Sequence, residues 1–209
     1  MALAVTLSLV ACGGGEASSS SSEVAGGYAV KVVTAKFPAE QRLGETSLMR
    51  IGILNTGRKT VPALDVTISI AGKAGETASL PFGIHDPEPG LAQPDRPVWV
   101  LSEDYPRLAG SSISAGAESS GRKTFNFGPL KRGARTEAVW KLSAVKTGKF
   151  TVLYRVDAGL GGKARAETAD GARPHGSFTA RISKIPPNTI VTDSGKVVTI
   201  PGKQKYQPQ

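Results

Sequence analysis

Sulfur is almost missing from this chain. Its 209 residues hold one cysteine, Cys12, which excludes a disulfide framework and a thiolate metal site. Histidine is nearly as scarce, with His85 and His175 alone. His85 sits in a proline-rich loop and His175 between Pro174 and Gly176, so both read as solvated loop residues. Neither belongs to an HExxH helix or to a pair at metal spacing. Aromatic residues are 6% of the chain, so a core must be built from Val, Leu, Ile and Ala. No apolar run approaches the ~20 residues of a membrane-spanning helix. There is no G-x-S-x-G elbow. Gly159-Leu-Gly-Gly162 leads into a strand pattern, so it reads as a hairpin turn and not as a phosphate loop. A dispersed Ser-His-Asp triad leaves no local signature and stays open. These absences leave no reaction specified, and the expectation is a protein that is not an enzyme and carries no cofactor.

What is abundant is turn-forming residues and positive charge. Gly 25 and Pro 14 suit many turns and oppose long helices. The formal net charge is +9. The basic residues are scattered, and the densest group, Arg122, Lys123, Lys131, Arg132 and Arg135, flanks a turn. No RNA-binding aromatic motif or helix-turn-helix pattern accompanies them, so no nucleic-acid partner is expected. The charge reads as a solvated basic surface, or as attraction to anionic lipid headgroups and cell-wall polyanions.

The chain opens on an apolar stretch, residues 1–11, that ends in Leu9-Val10-Ala11-Cys12. Gly13-Gly-Gly15 and a serine run, Ser18 to Ser22, follow. Leu-Val-Ala-Cys resembles the lipobox of bacterial lipoproteins. That resemblance implies cleavage between Ala11 and Cys12, lipidation of Cys12, and a place on the extracytoplasmic face of the cell membrane. Each buried methylene of an acyl chain adds ~0.8 kcal/mol, so two or three chains anchor stably. The opening carries no basic residue, which fits a start codon placed downstream of the true one. Residues 12–27 then form a tether whose ends lie about 20 Å apart as a flexible coil. The alternative for Cys12 is a buried thiol in an apolar strand, with poor neighbours in the glycine and serine runs.

From Tyr28 the pattern has period two, which marks strands. Residues 28–36 are the first strand and Thr46 to Leu54 the second, stopped by Asn55-Thr56-Gly57. Leu64, Val66, Ile68 and Ile70 share one face in the cleanest alternation of the chain. Residues 83–122 are irregular and punctuated by proline, with a short strand at 97–101. Regularity returns at Lys123–Phe127, Arg135–Val145, Phe150–Val156, Lys163–Thr168 and Ser177–Ser183. Gly128–Gly133, Lys146–Gly148 and Gly159–Gly162 read as turns between neighbouring antiparallel strands. Asp193-Ser-Gly195 centres a C-terminal hairpin, and the tail after Pro201 reads as disordered. Nine to eleven short strands without a long helix predict an all-β, antiparallel β-sandwich. The sandwich spans 28–185, with a long irregular insertion and a hairpin and tail at 186–209.

Two stretches resemble the Ig-like modules of bacterial surface proteins, including the CARDB type and related conserved-repeat domains of uncharacterised actinobacterial lipoproteins. Arg50-Ile-Gly-Ile-Leu-Asn-Thr-Gly57 with Val61-Pro-Ala-Leu-Asp-Val-Thr-Ile68 is similar to their hairpin with an Asn-x-Gly turn. There the glycine is expected to take a left-handed conformation. Leu130-Lys-Arg-Gly through Trp140 and Gly148–Val156 is similar to their Trp-containing strand pair. Together these cover about a quarter of the chain. The resemblance implies an Ig-like fold and brings no catalytic residue with it.

The candidate binding rim lies in the irregular segment. It comprises Trp99, Tyr105, Asp86, Glu88 and Asp95, because an aromatic platform beside polar loops can stack on sugars or dock a partner. Trp99 reads first as a core side chain, and Trp140 reads as core. The acids Asp86, Glu88, Asp95, Glu103 and Asp104 could hold calcium, but their spacing matches no EF-hand and they read as a solvated loop. The leading function is a non-enzymatic, lipid-anchored sandwich with a binding, adhesion or envelope-organising role. Its partner would be a cell-envelope protein or a polyanionic or glycan polymer. The alternatives are a solute- or glycan-binding lipoprotein and, third, an envelope hydrolase using two convergent carboxylates.

Overall fold

Alternation decides which residues become strand, and long-range pairing decides where each strand goes. The computed structural model describes residues 24–71, 82–84, 97–115, 124–184 and 189–199. Ala11, Cys12 and the rim acids Asp86, Glu88 and Asp95 lie outside these residues, as do most of the tether and tail. In chain order the strands are β1 (Gly26–Lys36), β2 (Glu40–Arg42), β3 (Thr46–Asn55), β4 (Asp65–Ile70), β5 (Phe82–Ile84), β6 (Trp99–Leu101) and β7 (Arg107–Leu108). They continue as β8 (Thr124–Asn126), β9 (Arg135–Ala144), β10 (Gly148–Asp157), β11 (Ala164–Glu167), β12 (His175–Ser183), β13 (Thr189–Val191) and β14 (Val197–Thr199). No helix occurs among the described residues, so the chain is all-β.

One sheet has seven strands in the order β11-β1-β3-β9-β6-β5, with β7 also paired to β9. The other has five, β2-β12-β10-β4-β8. Both turn their apolar faces to one core. Met49, Ile51 and Ile53 of β3 and Trp140 and Leu142 of β9 meet Val66, Ile68, Val152 and Val156 of the second sheet. Edge-to-face ring pairs cross the interface, with Phe125–Trp140 centroids 6.0 Å apart and Trp99–Phe150 5.9 Å apart. Such pairs add about 0.5–1.5 kcal/mol beyond area burial. Residues 189–199 form a separate two-stranded sheet around Gly195, which takes φ +78°, as the hairpin reading expected.

Three expectations change. The sheets are mixed: β1–β11, β2–β12 and β5–β6 are parallel pairs. The connections read as turns between paired strands join different sheets. β3 leads to β4, β8 to β9, β9 to β10 and β10 to β11, each time crossing from one sheet to the other. A glycine turn closes a hairpin or arches between layers with the same residues, and both strands then still face the same core. The left-handed glycine expected at position 57 is also absent. Gly57 is not among the positive-φ glycines. Close approach holds it, since a Cβ there would lie 3.3 Å from the Ala29 nitrogen.

The first strand begins at Gly26, two residues before Tyr28, because Gly26 and Gly27 pair in parallel with Ala164 and Arg165. Part of the irregular 83–122 segment also joins the sheet. β6 and β7 lie along the same side of β9, pairing with its C-terminal and N-terminal halves.

Candidate functional site

Of the two readings of Trp99, core and binding rim, the structure bears out the core. Trp99 is 0% exposed, and its indole N–H donates to Gln41 Oε1 at 2.8 Å. Gln41, also buried, in turn donates to the Pro38 carbonyl at 2.9 Å. Trp99 is therefore a core side chain and has no free face to stack on a sugar. Tyr105 is half-buried against the core, with the Arg107 guanidinium 4.5 Å above its ring. Trp140 is buried as expected, and its Nε1 has no hydrogen-bond partner among the described residues.

Register instead assembles a site on the outer face of the five-stranded sheet. Val66 and Val156 point inward, so Asp65, Thr67, Arg155 and Asp157 point outward. Pairing sets Asp65 beside Asp157 on one side and Asn126 on the other. The next row outward-facing is Thr124, Thr67, Arg155 and His175. Carboxylates opposite each other across strands repel, and each of these two has a donor. Asn126 Nδ2 donates to Asp65 Oδ1 at 2.7 Å, and Arg155 Nε to Asp157 Oδ2 at 2.7 Å. Thr67 and Thr124 share a hydroxyl hydrogen bond of 3.0 Å.

The β10–β11 crossover then closes this floor into a cleft of about 220 Å3. Gly159 and Gly162 line it without side chains, and Arg165 and Arg173 enter from β11 and the segment after it. Three guanidiniums thus face two carboxylates, one net positive charge. Arg155 is held by Asp157, whereas Arg165 and Arg173 are exposed and form no ion pair among the described residues.

Arg173 also borders a larger groove of about 610 Å3, lined by residues 30–32 of β1, Thr56 and the 168–175 segment. The reason for the groove lies in the strand lengths. β11 pairs with β1 only from Gly26 to Ala29, while β1 continues to Lys36. Beyond Ala29, β1 pairs with β3 alone among the described residues. The groove wall at 168–172 is a tight turn. Thr168 donates its hydroxyl to Asp170, and Gly171 N donates to the Thr168 carbonyl at 2.9 Å. The Thr168 hydroxyl first, then the backbone amides of Asp170 and Ala172, hold the Asp170 carboxyl below its ordinary range. His175 Nδ1 lies 2.8 Å from the Arg173 carbonyl, which fixes the ring at the groove's end. A third hollow of about 310 Å3, between Leu108 and Phe127, has no ionisable side chain in its lining.

Asp65, Asp157, Arg155, Arg165 and Arg173 escaped the sequence reading. The outward phase of Asp65, Arg155 and Asp157 was visible in the alternation around Val66 and Val156. Their neighbours were not, because register and the crossover are long-range facts. No group of three or more His, Cys, Asp or Glu able to hold a metal ion occurs among the described residues.

No family model matches the chain, and no curated protein matches it. Among solved structures it is similar to an Escherichia coli alpha-2-macroglobulin at 15% identity and a TM-score of 0.39. That alignment covers 77% of this chain and 7% of the macroglobulin. A CARDB domain from Pyrococcus furiosus, solved in complex with di-metal ions, aligns at 9% identity and a TM-score of 0.40. It covers 75% of this chain and 93% of that one. A cohesin module from a Clostridium perfringens glycoside hydrolase aligns at 12% identity and a TM-score of 0.41, over 76% and 98% of the two chains. These are distant resemblances, and what those proteins bind does not pass to this chain.

Proposed function

We propose that the chain is a non-catalytic, lipid-anchored β-sandwich of a bacterial cell envelope, held at the extracytoplasmic face through Cys12. In this reading it binds a partner at the groove beside β1. The observation that carries the binding reading is the groove itself, about 610 Å3 where β1 outruns β11. An unpaired strand edge offers backbone N–H and C=O groups to an extended segment. Val32 supplies apolar floor, and Lys31 and Arg173 supply charge at the mouth. The lipobox-like Leu9-Val10-Ala11-Cys12 supports the anchor.

Two experiments test the two halves. In cells fed a clickable fatty acid, the native chain takes label and Cys12→Ser does not; equal labelling of both removes the anchor. A photo-crosslinking amino acid at position 31 is expected to give a discrete adduct in the anchored full chain. The same probe at exposed position 149 gives none. Matching adduct patterns at both positions remove the groove from the reading.

One observation favours a hydrolytic reading instead. Asp65 and Asp157 are cross-strand neighbours in the cleft, and glycosidases use paired carboxylates. Against it, Asp65 is 1% exposed and Asp157 is bound to Arg155. Substrate therefore has little access to the first, and the second is committed to a guanidinium. Release of reducing sugar from envelope polysaccharide, abolished by Asp157→Asn, would restore the hydrolase.

A further inference from the structure

We infer that the cleft formed by Arg155, Arg165 and Arg173 is a binding site for a phosphodiester group. It goes beyond the groove reading, with which it shares only Arg173. Three arginines reach one cleft from three places: strand β10, strand β11 and the segment before β12. Guanidinium forks are matched to oxyanions by charge and by paired N–H donors. Asp157 takes the Nε hydrogen of Arg155 and fixes that side chain, leaving its terminal amines for a ligand. Arg165 and Arg173 form no ion pair among the described residues, so their donors are uncommitted to any carboxylate there.

The charge of the lining selects among oxyanions. Three guanidiniums against two carboxylates leave one net positive charge, which matches a monoanion. A phosphomonoester carries about −1.5 to −2 at neutral pH and would meet Asp65 and Asp157 with excess negative charge. A diester carries one charge. A carboxylate also carries one, but its two oxygens are satisfied by a single fork, which leaves two of the three arginines unused. A tetrahedral diester presents oxygens in several directions, as converging donors require. It also has two ester arms that must leave the site. The cleft is open to solvent, and Arg173 also borders the groove beside β1, so one arm can lie on that side. On the other side the crossover lines the cleft with Gly159, Leu160 and Gly162, two of the three without side chains.

The same diester occurs in lipid headgroups and in phosphate-linked envelope polymers, so the test carries both. The full chain with Cys12→Ser is titrated with bis(glycero)phosphate, glycerol 3-phosphate and acetate, followed by amide chemical shifts. The expected result is binding of the diester near about 1 mM, weaker in high salt, with smaller responses to the monoester and acetate. Arg165→Gln with Arg173→Gln is expected to weaken it roughly tenfold or more, while Arg132→Gln, on an exposed turn outside the cleft lining, leaves it unchanged. Both variants alter exposed side chains, and equal melting temperatures confirm that the fold persists. No shift up to about 50 mM diester, or equal losses in the two variants, overturns the proposal. Tighter binding of acetate or of the monoester than of the diester also overturns it. Retention by phosphatidylglycerol vesicles assigns the source to lipid, and retention by soluble poly(glycerol phosphate) assigns it to polymer. Retention by neither overturns the proposal at the scale of the cell. Crosslinking from position 31 reads the groove independently, so each reading can fail alone.

Discussion

One buried amide, that of Asn55, joins segments far apart in the sequence. Its Nδ2 donates to the Lys59 and Leu130 carbonyls, both at 2.9 Å, and its Oδ1 accepts from Gly57 N at 2.9 Å. The residue is 1% exposed, so truncation leaves buried groups without partners. Each such group costs about 1–3 kcal/mol. Asn55→Ala is therefore expected to lower the unfolding free energy by at least about 2 kcal/mol, measured by urea titration with an unchanged m-value. Gly176 is a second position where one residue decides the packing. A Cβ there would lie 2.4 Å from the Tyr154 hydroxyl, and Tyr154 packs on Phe178 with centroids 5.3 Å apart. Gly176→Ala forces that ring to move, at about 1–3 kcal/mol. The same melt reads it, and Gly176→Ala in a Tyr154→Ala background should cost less. Gln41 carries a third, since it satisfies the indole of fully buried Trp99. Gln41→Leu is expected to cost about 1–3 kcal/mol by leaving that N–H unpaired.

At the scale of elements, strand existence was legible and strand partnership was not. The alternation of Leu64, Val66, Ile68 and Ile70 named a strand and its buried face correctly, because a period of two is a local property. Arg135–Val145 and the hairpin at Asp193–Gly195 were legible for the same reason. β2 and β7 were missed, being three and two residues long with no alternation to read. The binding cleft was hidden by the misread connections. Gly159–Gly162 looks like a hairpin turn, and only the pairing of β11 with β1 shows that it roofs a site. Trp99 reads first as core, but a tryptophan between proline-rich loops also fits a rim, and the distant Gln41 settles it. The elements should also differ in how often they open. β3 and β9 are flanked by partners on both sides, whereas among the described residues β13 and β14 pair only with each other. A lone two-stranded ribbon is marginal in water. Amide exchange is expected to be slowest in β3 and β9 and fastest in 189–199. Equal protection in the two regions would show that the hairpin is held by further contacts.

For the whole molecule, alkaline pH should reveal how the core is sealed. Burial raises the Tyr154 phenol above its ordinary value of 10.0, because the phenolate would lose its hydration inside the sandwich. The sign follows from which state binds the proton more tightly. The folded state holds the proton to higher pH than the unfolded chain does. Tyr154 therefore contributes its full stabilisation below the unfolded pKa, and that contribution is lost as pH rises through the folded one. Unfolding free energy should fall as pH climbs past about 10. Many other groups titrate in that range, so the decline of the native chain alone would not identify its source. Tyr154→Phe isolates it: the ring still packs on Phe178, and the ionisable hydroxyl is gone. The difference in unfolding free energy between native and Tyr154→Phe chains is expected to be constant from about pH 6 to 9 and then to shift in favour of phenylalanine. A difference that stays flat through about pH 11 would mean that water reaches the phenol in the folded state. The two sheets would then not close around Tyr154 as their shared core requires.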